Sequence, residues 1–275
     1  AAQKLHKTAK LHIKLDTGMS RIGYQITEES ADEILKISKL PGIEIEGMFT
    51  HFARADELDK TPAYQQMEEY QKMVDMLSKR GIKIPLKHCS NSAGIAEIPE
   101  ANMDIVRAGI TLYGLWPSEE VSRDSLALSP VMSLKSKIVH IKTLEAGRSI
   151  SYGGTYKLKE EKTIATIPVG YGDGYPRSLS NKGYVLIHGQ KAPILGRVCM
   201  DQFMVDISDI KEAELLDEVT LLGEDHGSFL SMEELGDLSG RFNYEFACDI
   251  GKRVPRIFYK NGKMVSARDY FDHIE

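Results

Sequence analysis

Leu15-Asp16-Thr17-Gly18-Met19-Ser20-Arg21-Ile22-Gly23 decides how the chain reads. The run ends an apolar, strand-like stretch carried by Leu11, Ile13 and Leu15, turns tightly on glycine and then presents an arginine. A strand that stops at a glycine turn followed by a polar side chain is the kind of junction where α/β folds place their sites. The run also lies close to the first residue. Ala1 to Lys10 reads as the tail of a helix, and a chain that opens in mid-fold is expected to lack a preceding segment.

Working outward, strands and helices alternate. A helical pattern occupies Ser30 to Leu40 and is closed by Pro41-Gly42; Ile43 to Phe52 then alternates as a strand. Thr61 to Lys79 is an amphipathic helix, with Tyr64, Met67, Tyr70, Met73 or Val74, and Leu77 at helical spacing, stopped at Gly81. Leu86 to Cys89 is a short strand, Asn91 to Ile95 opens a short helix, and Met103 to Val106 reads as a fourth strand. Strands joined by helical crossovers predict a parallel sheet with right-handed βαβ connections. That sheet is either small and doubly wound or half of a closed (β/α)8 barrel, which needs about 250 residues. Arg21, His51, Asn91 with Ser92, and Arg107 each follow one of the four strands, so together they mark a site.

After Pro117 the texture changes. Met132 to Leu144 alternates, a turn falls at Gly147, and short strands recur at Thr163–Val169, Gly183–His188, Ala192–Leu195, Phe203–Ile207 and Val219–Leu222. Regularly spaced short strands imply an all-β domain. The fold class is therefore α/β plus all-β, with an α/β part over 1–122 and a β-rich domain over 123–275, the boundary lying in the polar, proline-bracketed segment from Trp116 to Pro130. In 275 residues, 42% hydrophobic and 27% charged content are those of a globular protein that forms one large or two ordinary domains. The net charge of −5 gives no support for nucleic-acid or anionic-membrane binding. No apolar run reaches the ~20 residues of a bilayer span, and no signal peptide is visible. Cys89, Cys199 and Cys248 lack any CxxC or zinc spacing, so they read as reduced, mostly buried thiols of a cytoplasmic protein, with no metal site.

Each constellation has a plain reading beside its functional one. Arg107-Ala108-Gly109-Ile110 is an ordinary strand-to-helix turn, or a phosphate cradle built from successive N–H groups and the Ser92 hydroxyl. His51 is a core histidine bonded to backbone, or a catalytic one. Gly170-Tyr171-Gly172-Asp173-Gly174-Tyr175 and Ile150-Ser151-Tyr152-Gly153-Gly154 are loops whose tyrosines are incidental or functional.

Taken together, these segments resemble the bacterial alanine racemases, fold-type III pyridoxal-phosphate enzymes that interconvert L- and D-alanine and supply D-alanine for peptidoglycan. The resemblance runs from about Lys10 to the end. It rests on Leu15–Gly23, Thr50-His51-Phe52-Ala53, Asn91-Ser92-Ala93, Val106–Ile110 with Leu112-Tyr113-Gly114, Ser151-Tyr152-Gly153, Ile167–Tyr171, Gly196–Gln202 and Arg253-Val254-Pro255-Arg256. It implies the C-terminal part of a (β/α)8 barrel followed by a β-rich domain, in a head-to-tail homodimer that shares its sites. It implies Tyr152 as one of two bases, partnered by His51, which Arg107 polarises. A phenol with an ordinary pKa of ~10 needs such help near neutral pH. Arg107 would also bond the cofactor's pyridine nitrogen. Because arginine does not readily yield a proton, the ring stays a weaker electron sink, which suits racemisation over transamination. Ser92, Asn91, Gly109 and Ile110 would hold the phosphate. Arg21 would hold the cofactor's phenolic oxygen and the substrate carboxylate, completed by Tyr171 and the Met200 backbone N–H. Lys14 matches a lysine that is carbamylated in some members and then orients Arg21.

Two departures from the family pattern stand out. The family's pyridoxal-phosphate lysine lies in a valine-lysine-alanine-asparagine-alanine-tyrosine-glycine segment on the first barrel strand, and no such segment occurs here. The covalent lysine, and roughly the first three barrel strands with it, are therefore expected to be left out, and the chain alone is expected to be inactive. Gly251-Lys252 occupies the stretch where some members carry a phosphate-binding tyrosine. The alternatives are a racemase for serine or another small amino acid, and a non-catalytic structural or engineered fragment. A decarboxylase of the same fold type would require an acidic residue where Arg107 stands.

Overall fold

The computed structural model describes residues 1–271 and divides into two compact units, Ala1–Pro130 and a second beginning at Val131. The expected β-rich domain ran to residue 275, so its last four residues lie outside the described residues.

The first unit is built on three parallel strands, β1 (Ala9–Lys14), β2 (Ile43–Phe49) and β3 (Leu86–His88), in that order. Helix α1 (Glu28–Ser38) connects β1 to β2, and α2 (Thr61–Lys79) connects β2 to β3. Helix α1 starts where Thr27 accepts the Ser30 N–H, with Glu28 and Glu29 in its first turn, as capping and the helix dipole favour. Helix α2 carries Pro62 in its first turn, where the missing N–H costs nothing. A short helix α3 (Ser92–Glu97) follows β3, capped by the Asn91 side chain. Alternation sorts the strands' side chains between two faces. Ile13, Leu15 and Met48 join Ala31, Ile34, Tyr70, Met73 and Leu77 in one apolar core. The other face carries His12, Lys14, Phe49 and His88, with the Phe49 and His88 rings stacked 4.9 Å apart.

Several expectations are corrected here. Met103 to Val106 is not a strand. Met103 has φ +42° and the Lys87 N–H bonds the Asp104 side chain, so a ladder cannot continue, although Asp104 N still donates to Lys87 O. The lead-in is a single 3-10 turn (Gln3–Leu5) and not a helix tail; it ends at left-handed His6, whose N–H donates to Gln3 O. On α2, Tyr64 is exposed and the buried stripe runs through Ala63, Gln66, Tyr70, Met73 and Leu77.

In the second unit, eight antiparallel strands form one sheet. They are β4 (Leu134–Lys137), β5 (His140–Leu144), β8 (Lys162–Ile167), β9 (Tyr184–Ile187), β10 (Gln190–Leu195), β11 (Phe203–Asp206), β12 (Glu218–Asp225) and β13 (Ser228–Leu230). The order is β13-β12-β9-β10-β11-β8-β5, with β4 also on β12. A small hairpin joins β6 (Ser149–Ile150) to β7 (Tyr156–Lys157), and another joins β14 (Arg256–Lys260) to β15 (Lys263–Arg268). Its buried aromatics are Tyr175, stacked on Phe203 at 5.3 Å, and Phe246, which meets Tyr175 edge-on. The unit is not purely β. Helices α4 (Met232–Ser239) and α5 (Asn243–Asp249) cover part of it, the first capped by Ser231 and ended by left-handed Gly240. The cysteines form no disulfide; Cys89 is buried and Cys199 half-buried, but Cys248 is exposed, against the reading of mostly buried thiols.

Gly114 shows how tightly the end of the first unit is held. Its φ is +72°, and a Cβ there would lie 1.8 Å from the Ser129 carbonyl oxygen. Gly114→Ala is therefore expected to destabilise the protein by about 2 kcal/mol or more, through strain at a left-handed position and a backbone clash, read as a lower urea midpoint at unchanged slope.

Candidate active site

The polar residues gather at the C-terminal ends of the three parallel strands. After β1 the chain makes an excursion from Asp16 to Gly23 whose base is closed by two backbone bonds, Asp16 N to Tyr24 O and Tyr24 N to Lys14 O, each 2.9 Å. The Asp16 side chain accepts the N–H groups of Gly18 and Ser20. Gly23 has φ +134° and its position would put a Cβ 2.7 Å from the Asp16 nitrogen, so only glycine closes this loop. Arg21 stands exposed on it.

Arg107 lies at the centre. It is half-buried, and its guanidinium donates to the carbonyl oxygens of Thr50 (2.8 Å), Cys89 (2.9 Å) and His88 (3.3 Å). It also reaches His88 Nδ1 at 2.7 Å and His51 Nδ1 at 3.4 Å. A guanidinium has donors only, so both ring nitrogens accept and each neutral ring carries its proton on Nε2. Burial first, then the charges of Arg107, Arg21 and Lys14, bring His51 down to about 4. Burial, Arg107 and His12 bring His88 down to about 4 as well. Both are neutral at physiological pH, and the Nε2–H of His51 is available as a donor.

Lys14 is brought below its ordinary value, by burial foremost, with Asp16 opposing and Arg21 and Arg107 adding to the effect. Its ammonium and the Arg107 guanidinium both lie over the Phe49 ring, at 5.7 and 5.4 Å. At the third strand end, the buried Ser92 hydroxyl accepts the Gly109 N–H at 2.9 Å and the Thr111 hydroxyl at 3.3 Å. Ile110 is buried beside them and Asn91 Oδ1 is engaged in capping α3. A Cβ at Gly109 would meet nothing closer than Ser92 Oγ at 3.5 Å. The protein's own packing does not demand glycine there. The open space beside a serine hydroxyl is of the kind a phosphate needs, so these residues fit the phosphate of a pyridoxal cofactor, and Arg107, a fixed cation that cannot accept a hydrogen bond, fits its ring nitrogen.

The second unit brings Tyr152, Met200 and the Tyr171 loop together. Tyr152 and Met200 line a cleft of about 420 Å³ with Ser151, Cys199, Asp201, Gln202 and Met204. Tyr171 N and Gly172 N donate to the carbonyls of Cys199 and Met200. Ser151 has φ +64°, an outlier for a side-chain-bearing residue, and its hydroxyl is tied to Arg197 O at 2.6 Å. Tyr152, Tyr171 and Met200 are all exposed.

Gln66, His12 and His88 went unnoticed in the sequence, and Arg253, quoted there only as part of a matching segment, was given no role. Gln66, 4% exposed, donates to Thr17 Oγ1 (3.0 Å) and His51 O (3.1 Å) and accepts from Ala53 N (2.8 Å), tying the Arg21 loop to the His51 turn. It falls in phase with Ala63, Tyr70, Met73 and Leu77, so a polar residue on the buried stripe was its signal. Arg253 bridges Asp173 (3.1 Å) and Asp201 (2.6 Å), clamping the Tyr171 and Met200 loops. His12 and His88 sit mid-strand or at a strand end, where an isolated histidine carries no pattern.

With fold and geometry in place, the comparisons are consistent with one another. Residues 1–117 match the family profile "Alanine racemase, N-terminal domain" and residues 131–258 match "Alanine racemase, C-terminal domain". The partial barrel and β-rich domain are thus those of a two-domain racemase family. The chain belongs to the alanine racemases. It is 50% identical over 270 residues to alanine racemase of Clostridium tetani, covering 98% of this chain and 70% of the relative. The solved alanine racemase of Clostridium difficile 630 superposes with a TM-score of 0.94 at 46% identity, over 98% of this chain and 70% of that one. That of Bacillus anthracis, with bound L-Ala-P, gives 0.90 at 39% identity over 96% and 68%. No helix among the described residues is long and apolar enough to cross a membrane.

Two outcomes are expected. Folding keeps His51 and His88 unprotonated between their ordinary value near 6.5 and about 4, so the unfolded chain binds more protons in that window. The stability is whole above pH 6.5 and is lost as pH falls towards 4, with buried His88 alone accounting for on the order of 3 kcal/mol. Urea unfolding at pH 7 and pH 4.5 measures the loss. Gln66→Leu should cost about 1–3 kcal/mol by orphaning the Ala53 N–H and the Thr17 hydroxyl, seen as a lower thermal midpoint.

Proposed function

We propose that the protein catalyses interconversion of L- and D-alanine with pyridoxal 5'-phosphate. The observation that carries this reading is Arg107, a donor-only cation held at the strand ends with a neutral histidine on either side. Bound pyridoxal phosphate supplies an electron sink for the pair released when the substrate Cα loses its proton. Arg107 would face the pyridine nitrogen and, yielding no proton, would keep that sink weak and favour return of the proton over transamination. Ser92, Gly109 and Ile110 would hold the phosphate, with Asn91 shaping the turn that presents Ser92. Arg21 would bind the substrate carboxylate and the phenolic oxygen, joined by Tyr171 and the Met200 N–H.

Tyr152 takes or returns the Cα proton on one face. In a homodimer, His51 of the copy whose site Tyr152 completes would donate its Nε2–H to the phenolic oxygen, which would stabilise phenolate. The opposite face needs a second base, the role of the lysine segment not found in these 275 residues. The chain by itself is therefore expected to turn over alanine near background. Tyr152, Tyr171 and Met200, exposed on the second unit, are read as completing the site of a partner copy in a homodimer. Lys14, whose lowered pKa favours the neutral amine, is read as carbamylated, giving Arg21 an anion in place of a like charge. A supply of D-alanine to the cell wall and a cytoplasmic location complete the reading.

Purification of the 275-residue chain from a racemase-deficient host tests the inactivity; robust turnover would refute it. In an active holoenzyme containing these residues, Tyr152→Phe should lower kcat by about 10²–10⁴-fold, the usual worth of a positioned base. Serine turned over as well as alanine would redirect the assignment to another small amino acid, while failure to bind pyridoxal phosphate would favour a structural role. Intact mass reads Lys14 directly.

A further inference from the structure

Two rings link Arg107 to the far edge of the sheet. His88 Nδ1 accepts from Arg107 at 2.7 Å, and His88 Nε2 lies 2.8 Å from His12 Nδ1. His12 Nε2 faces Glu46 Oε2 at 3.4 Å, and the other Glu46 oxygen takes the Lys10 ammonium at 2.5 Å. The tautomers follow one from the next. Arg107 cannot accept, so His88 carries its proton on Nε2 and donates it to His12 Nδ1; His12 must then carry its own on Nε2, pointing at the carboxylate. Were His12 in its other tautomer, two N–H groups would face each other across 2.8 Å.

The sheet is shaped to allow this contact. The β1–β2 register slips between Leu11 and His12: Leu11 pairs with Ile45 but His12 pairs with Gly47, leaving Glu46 as the extra residue of a bulge. A Cβ at position 47 would lie 2.5 Å from the His12 ring, so glycine gives the imidazole its path across β2 towards β3. Phe49 stacks on His88 from the same strand.

We propose that Glu46 and His12 are positioning residues for the reaction: Arg107 sets the tautomers of both rings, and the Glu46 carboxylate, facing the His12 Nε2–H, anchors the two rings so that His88 holds the Arg107 guanidinium in the orientation it presents to the cofactor. The role of Arg107 rests on the function proposed above; the tautomer relay does not. The charges facing the relay are Lys10 on β1, Glu46 on β2, and Arg107.

Long-range 15N–1H spectra of the histidine-labelled holoenzyme, with pyridoxal phosphate and stripped of it, test the proposal. Both rings should appear as single Nε2–H tautomers in the unaltered protein. Glu46→Leu should leave both rings as Nε2–H tautomers, move the His12 Nε2–H proton upfield as its carboxylate acceptor is lost, and lower kcat about tenfold, the lower range for loss of a group that orients a functional imidazole, with KM for alanine unchanged. Glu46→Gln keeps a carbonyl acceptor and should restore the downfield His12 proton and most of kcat; Lys10→Met should leave the rings as they are. An Nδ1–H proton on His88 in the unaltered protein, or ring resonances and kcat both unchanged in Glu46→Leu, would overturn the relay even if racemase activity is present. Intact tautomers with no racemase activity would instead count against the function and leave the relay standing.

Discussion

Arg107 is the interaction on which the first unit depends. Parallel strands leave carbonyl oxygens at their C-terminal ends, and a half-buried cation with donors alone is suited to collect them. Thr50, His88 and Cys89 all direct their carbonyls to it. Once the guanidinium is there, both neighbouring imidazoles are constrained. They must accept from it, they must be neutral, and the proton each keeps faces away from the cation. A lysine in the same place would give a single point of charge without the fork that reaches several acceptors, so tautomers and strand ends would both be less determined.

The second unit uses strain and charge pairing for a similar end. Ser151 is held in a left-handed conformation by its hydrogen bond to Arg197 O and by the close approach of Gly196, which has no room for a side chain beside Ile150. Tyr152 follows directly from that strained residue. Arg253 fixes two loops at once through Asp173 and Asp201, and Gly172 leaves space for its guanidinium. An exposed tyrosine on a loop is ordinarily mobile; here both ends of the local structure are restrained.

Much of this was legible in the chain because glycine and strand ends leave strong local marks. The turn after Leu15, the residues following the first three strands, and the loop tyrosines were all found by that route. The rest depends on partners distant in sequence. Met103–Val106 has strand composition, but Asp104 diverts a backbone donor to its side chain, an outcome set by Lys87. The helices at Met232 and Asn243 were overlooked because both are shorter than about two and a half turns, too short for periodicity to register. His12 and Glu46 are ordinary alternating strand residues until the bulge brings them together. Gln66 was visible in principle, being polar at a buried phase of α2.

The closed base of the Asp16–Gly23 excursion has a consequence for recognition. Because Tyr24 pairs back onto Lys14 and Asp16, the loop is a closed ring hanging from the end of β1, held further by the Gln66 bond to Thr17. The freedom of the Arg21 backbone is therefore surrendered when the sheet forms. For the carboxylate-anchoring role proposed for Arg21, only side-chain rotamers would then remain to be fixed on binding, and the entropy lost would be correspondingly small.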